Sequence, residues 1–212
     1  MFPKETKQNT SIGTFSILAI SPDSTLMGVA TASGSTNVGD RVPHAEPAIG
    51  VIATQAYTNI AYGIKGLQLL REGLSPEQAL AKLLMEDLEK NMRQVAMMDF
   101  KRKKAVFTGS GVPEYWAEIV GEYYIVIGNL LSTKDVVNSM AKEFEVSKGS
   151  LASRLLKALQ AGSRSGGDKR GERSAALIVV SGEKVEIEIK VGMHEQPIEE
   201  LFRLLKSKSV QC

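Results

Sequence analysis

Cysteine is almost absent from this 212-residue chain: Cys212, the last residue, is the only one. That excludes an intramolecular disulfide framework and predicts a reducing compartment. Histidine is nearly as scarce, with His44 and His194 alone, too few for the usual zinc or copper ligand sets. No metal and no cofactor are therefore predicted. An excess of one charge sign is also missing: 26 Lys+Arg against 24 Asp+Glu leave a net charge of +2. So even a balance points to neither nucleic acid nor an acidic membrane as partner. No run reaches the roughly 18 apolar residues that a membrane span requires. Residues 1–13 are polar and lack both an apolar h-region and an Arg-rich amphipathic pattern, so neither a signal peptide nor a transit peptide is expected there. A cytoplasmic protein is the expectation.

What is present is an ordinary globular composition, 43% apolar and 24% charged, in a length that suits one domain and buries a core without staples. Residues 1–13 read as an N-terminal extension and 14–212 as the domain. Thr14–Ile20 and Leu26–Ala32 read as strands joined by the turn Ser21-Pro22-Asp23-Ser24. The apolar run Ile49–Ala53, leading into Thr54-Gln55-Ala56, suits a strand buried on both faces. Two helices follow. One spans 62–72 and stops at Gly73; the other begins at Ser75-Pro76-Glu77-Gln78 with Ser75 as N-cap, Pro76 at the first position and Gln78 closing a capping box. Ala79, Leu80, Leu83, Leu84 and Leu88 mark its apolar face.

Further strands are predicted over 93–99, 105–108 and 123–128, then helices over 134–144 and 151–161, the second ending at Gly162. Strands over 175–180 and 185–191 and a helix over 198–205 complete the chain. Helix pairs separated by blocks of strands suit two mainly antiparallel sheets packed face to face with helices outside each. The predicted fold class is α+β, a four-layer αββα sandwich.

Gly162–Arg173 (GSRSGGDKRGER) is the most unusual segment. A phosphate loop fails there, because Asp168 follows Gly167 where a lysine is needed and the segment follows a helix. It is either a solvated connection or a place where glycines let backbone approach a ligand beside Asp168, Arg170, Arg173 and Ser174. Thr54, Gln55 and Asn59 lie between a buried strand and a helix, where amides can bind an oxyanion or carboxylate; Asn59 reads equally as a helix cap. Arg93-Gln94 reads either as a surface pair or as a buried clamp. Lys101–Lys104 (KRKK), between two short strands and without interleaved aromatics, reads as a solvated turn. His44 is placed in a polar loop and His194 after the last strand; both read as structural or surface. Trp116, Tyr115, Tyr123 and Tyr124 read as core and rim packing.

Six segments in order, T-F-S-I (14–17), A-T-Q-A-Y-x-N-x-x-Y-G (53–63), R-Q-V (93–95), T-G (108–109), G-N-L-L (128–131) and G-G-D-K-R-G-E-R-S-A-A-L (166–177), resemble domain-of-unknown-function family 1028. The resemblance runs from Thr14 to about Leu205. It implies an N-terminal-nucleophile (Ntn) hydrolase-like fold, in agreement with the layer order above. In such enzymes a Thr, Ser or Cys at the mature N-terminus attacks an amide, and its own α-amino group, titrating at about pH 8, serves as base. Thr14 matches the nucleophile, and Gly13-Thr14 resembles the autocleavage sites of other Ntn enzymes. The chain departs from the family where W-A-G-H is common, having Trp116-Ala117-Glu118-Ile119, and in Val191-Gly192-Met193 before His194.

The resemblance therefore implies an amide hydrolase with Thr14 as nucleophile once residues 1–13, read as a propeptide, are removed. Ser33 is expected to contact the freed amine. Asp168, Arg170 and Ser174 are expected around the nucleophile. Thr54, Gln55, Asn59, Arg93 and Asn129 are the candidate oxyanion and substrate contacts. The expected partner is a small, carboxylate-bearing substrate or ligand, in a homo-oligomer. The alternative is a non-catalytic module that binds a small ligand on the same fold.

Overall fold

The computed structural model describes residues 13–209; residues 1–12 of the extension, and Cys212, lie outside the described residues. The order of elements is β1 (Thr14–Ile20), β2 (Leu26–Ser33), β3 (Pro43–Glu46), β4 (Gly50–Ala56), α1 (Ala61–Arg71), α2 (Pro76–Glu86), β5 (Arg93–Asp99), β6 (Lys104–Thr108), β7 (Ala117–Val120) and β8 (Tyr124–Asn129). It continues with α3 (Asp135–Val146), α4 (Leu151–Arg164), β9 (Ser174–Ser181), β10 (Val185–Val191) and α5 (Pro197–Ser209). The strands form two antiparallel sheets, one ordered β10-β9-β2-β1-β8-β7 and the other β3-β4-β5-β6.

Three apolar clusters follow from the period of two along each strand. Phe15, Ile17, Ala30, Val126 and Leu177 point to one side of the six-stranded sheet and meet Leu155, Leu156 and Leu159 of α4, Met140 of α3 and Leu201 of α5. Their neighbours Leu18, Ile20, Met27, Val29, Ile125 and Ile127 point the other way, onto Val51, Ala53, Ala96 and Met98 of the four-stranded sheet. That sheet's opposite face, Ile52, Val95 and Met97, is covered by Tyr62, Leu67, Leu70, Leu80 and Leu83 of α1 and α2. Both sheets are thus buried on two faces, which explains their near-continuous apolar runs. No helix among the described residues is long and apolar enough to cross a membrane.

The predicted elements lie within a few residues of those observed, with informative differences. β3 and β7, four residues each, were not expected: one opens on Pro43 and holds His44, and neither has an apolar run long enough to read as a strand. α4 runs through Gly162 to Arg164. Gly162 is there because a Cβ would come within 2.7 Å of Met140 Cγ, so close packing and not helix termination explains it. Leu88 lies beyond α2 and is fully exposed; Asp87, not Leu88, turns inward at that end. The capping box is as predicted, with Ser75 Oγ accepting from Gln78 N and Gln78 Oε1 accepting from Ser75 N. Within the KRKK turn, Arg102 donates to Ser24 and Pro22 and Lys104 to the carbonyls of Gly121 and Glu122, so two of its four cations tie neighbouring turns together.

Candidate functional site

The inter-sheet layer changes character along its length. Continuing the inward-facing positions that carry Leu18, Val29, Ile127, Ile178, Ala53 and Ala96 to the other end of each strand reaches Ser16 and Thr14, Thr31 and Ser33, Asn129, Ser174, Gln55 and Gln94. All of them are buried. Burying so many polar side chains is tolerable only if they bond one another. Gln94 Oε1 accepts from Gln55 Nε2 (2.8 Å) and from Asn129 Nδ2 (3.0 Å), and Gln94 Nε2 donates to Thr108 Oγ1 at 3.1 Å. Gln55 Oε1 accepts from Ser16 Oγ at 2.7 Å, and Gln55 Nε2 also donates to the Thr14 carbonyl at 3.1 Å. Asn129 Oδ1 alone among these amide atoms is buried without a partner.

Thr14 opens β1 at the edge of this layer, paired with Ser33 on the adjoining strand through a 3.2 Å contact between their hydroxyl oxygens. The carbonyl of Gly13 is the focus of the site. It accepts from Ser33 Oγ at 2.6 Å and from Arg170 Nη2 at 3.0 Å, and the Thr14 hydroxyl also donates to it. Ser33 is itself supported: Ser35 Oγ lies 2.7 Å from it, Ser35 N donates to it at 3.1 Å, and Arg41 Nη2 donates to Ser35 Oγ at 3.3 Å.

Arg170 is held by Asp168, whose side chain is fully buried. Asp168 Oδ1 accepts from Arg170 Nε (3.0 Å) and N (2.9 Å), and Oδ2 from Arg170 Nη2 and Gly34 N, both at 2.8 Å. Every Asp168 oxygen is therefore engaged, which makes it a clamp on Arg170 rather than a free base. The chain reaches Asp168 from α4 through Gly166 (φ 113°) and Gly167 (φ 55°), a left-handed path that favours glycine. Glu172 Oε1 then accepts from Asp168 N at 3.0 Å, and an isolated bridge pairs Leu131 with Asp168.

The predicted site residues thus divide. Thr14, Ser33 and Arg170 converge on the Gly13 carbonyl, Asp168 reaches it only through Arg170, and Gln55 and Asn129 stand directly behind them. Ser174 supports the loop after β2, donating to the Ser35 carbonyl at 2.6 Å and accepting from Val38 N at 3.1 Å. Thr54 and Asn59 are occupied elsewhere: Thr54 Oγ1 donates to the Asn59 carbonyl and Asn59 Oδ1 accepts from Ala61 N, closing the turn into α1. Arg93 lies apart from Thr14's donors in a buried cluster, donating to Asp87 Oδ2 at 2.8 Å, Glu89 Oε2 at 3.0 Å and the Tyr57 carbonyl at 2.6 Å. Burial would raise the Asp87 carboxyl, but hydrogen bonds from Arg93 and Glu89 N outweigh it and hold the group below its ordinary range.

Ser16, Thr31, Ser35, Arg41 and Gln94 were missed as site-forming residues. A signal existed for three of them: each of Ser16, Thr31 and Gln94 is a polar residue on the inward alternation of an apolar strand. Trp116 and Tyr115 are partly exposed rim residues, and Tyr124 packs on Phe144. His44 is partly buried against Gly63 of α1, with burial lowering its pKa. Among the described residues no cluster of three or more His, Cys, Asp or Glu is placed to hold a metal ion.

No curated protein matches the chain. Among solved structures, the crystal structure of protein SPO2555 from Silicibacter pomeroyi, of family DUF1028, superposes with a TM-score of 0.86 at 32% identity, covering 92% of this chain and 85% of that one. The model of the family of unknown function DUF1028 matches residues 14–201, nearly the full described length, and the chain belongs to that family.

Proposed function

We propose that this chain is the precursor of an N-terminal-nucleophile amide hydrolase on a four-layer αββα sandwich, with Thr14 as nucleophile. The observation that carries the reading is the Gly13 carbonyl: a buried peptide bond whose oxygen receives the Ser33 hydroxyl and the Arg170 guanidinium, next to the hydroxyl that would attack it. Donors fixed on a carbonyl oxygen before reaction stabilise the negative charge that develops there.

In the self-cleavage, Thr14 Oγ bonds to the Gly13 carbonyl carbon and the Gly13–Thr14 C–N bond breaks. The hydroxyl proton passes to the Thr14 nitrogen, leaving an ester to Thr14 Oγ. One water hydrolyses the ester, giving a Gly13 carboxylate and a free Thr14 amine. That amine is the base for later turnovers on an external amide. Ser33 and Arg170 then face the substrate's oxyanion. Thr54 and Gln55 are not oxyanion donors in this scheme, since their hydrogens are engaged elsewhere. Asn129 keeps Oδ1 as a buried acceptor without a partner, while its Nδ2 donates to Gln94.

The test is intact-mass spectrometry of the full chain during incubation across pH and temperature, beside Thr14→Ala. Loss of residues 1–13 from the wild type and not from the variant is the expected result. A wild-type chain that stays intact under every condition would sink the reading and leave ligand binding without turnover as the function to pursue.

A further inference from the structure

Gly13 occupies a niche with little room. Its φ is +124°, a conformation L side chains rarely adopt, and a Cβ built there would lie 2.6 Å from Arg170 Nη2, 2.7 Å from Asp168 Oδ2 and 3.0 Å from Leu130 Cδ2. The Arg170 end cannot simply swing away, because Asp168 grips it at two positions and the same Nη2 holds the Gly13 carbonyl. Asp168 cannot give either: its side chain is fully buried and also accepts from Gly34 N. An L side chain on the residue that supplies the attacked carbonyl would therefore displace a donor of that carbonyl.

We infer that the site accepts acyl groups with no L-configured substituent on the α-carbon, glycyl or smaller, and rejects L-aminoacyl amides; this rests on the proposed role of Thr14. The physical reason is that the leader and an external amide share one nucleophile and one pair of oxygen donors. An external carbonyl polarised by Ser33 and Arg170 must put its α-carbon where Gly13 has its own, facing Asp168 and Arg170.

The experiment has two arms on the full-length chain. In the first, self-cleavage of Gly13→Ala is followed by intact mass with its thermal melting recorded. In the second, the self-cleaved wild type is offered glycyl-4-nitroanilide and L-alanyl-4-nitroanilide, and nitroaniline release is read. We expect Gly13→Ala to cleave about tenfold slower or worse, under conditions where its melting curve shows it fully folded, and the L-alanyl anilide to show kcat/KM lower by about the same factor. Cleavage of Gly13→Ala within about twofold of wild type, equal turnover of the two anilides, or no turnover of the glycyl anilide by cleaved protein would each overturn the inference while leaving Thr14's role intact. Should Gly13→Ala fail to fold, the anilide comparison decides alone. A wild type that never cleaves removes the proposed function, and this inference with it.

Discussion

Arg93 and Asp87 have side chains only 3% and 5% exposed, and they meet at 2.8 Å below the turn that leads into α1. Taking one partner away leaves a buried charge uncompensated, so Arg93→Ala should lose about 3–5 kcal/mol of unfolding free energy in urea titration. The surface pair Arg203–Glu200 is the contrast, and Arg203→Ala should leave the urea midpoint almost unchanged. Asp87 also sets a pH dependence. Its folded pKa is depressed below the unfolded value, so its contribution is complete above the unfolded carboxylate pKa and is lost as pH falls through the folded one. Wild type should therefore lose stability on acidification across that range more steeply than Asp87→Asn, measured by melting temperature against pH. A shallower wild-type slope would mean that Arg93 does not hold Asp87 ionised.

At the scale of elements, the helices take their stability from two different sources. α2 begins with a complete capping box, visible already in Ser75-Pro76-Glu77-Gln78, and Ser75→Ala should cost about 1 kcal/mol. α4 owes more to burial: Leu155, Leu156 and Leu159 are fully buried against the six-stranded sheet. Leu155→Ala should cost about 2–5 kcal/mol by leaving a cavity. Denaturant midpoints of the two variants, with unchanged slopes, check the ranking. Equal losses would show that the Leu155 site collapses around the smaller side chain.

For the molecule as a whole, one end of the inter-sheet layer is sealed by hydrocarbon and the other by amides and hydroxyls. Gln94 is the link at the polar end, joining Gln55, Asn129 and Thr108 across both sheets. Replacing it with Leu would strand two buried donors, Gln55 Nε2 and Asn129 Nδ2, at once. Gln94→Leu should then cost more than the roughly 1–3 kcal/mol expected for one unsatisfied group, despite the gain in apolar surface, and should slow the proposed self-cleavage by loosening Gln55 from the Thr14 carbonyl. Circular dichroism melts and intact mass on the same preparation separate the two effects. A Gln94→Leu chain as stable as wild type would mean the amide chain does not hold the sheets together.

The sequence by itself determined the class of fold and most of its elements, because apolar periodicity of two or 3.6 residues, a capping box and short turns are local signals. It also brought Thr14, Asp168 and Arg170 forward through motifs in their order along the chain, and Ser33 through its place at the end of the adjacent strand. β3 and β7 were not legible, since four-residue strands carry too little pattern and exist because an edge is there to pair with. Nor was the fate of Thr54, whose hydroxyl suits a binding site but closes the turn into α1, whereas the helix-cap reading of Asn59 and the buried-clamp reading of Arg93 were each one of two that the sequence left open. Only the tertiary structure decided that polar inward positions of six separate strands line up at one end of the sandwich. Gly13, Ser33 and Arg170, far apart in sequence, meet on one carbonyl because strand register sets Ser33 beside Thr14 and the loop anchored by Asp168 brings Arg170 to them, and no local pattern encodes either.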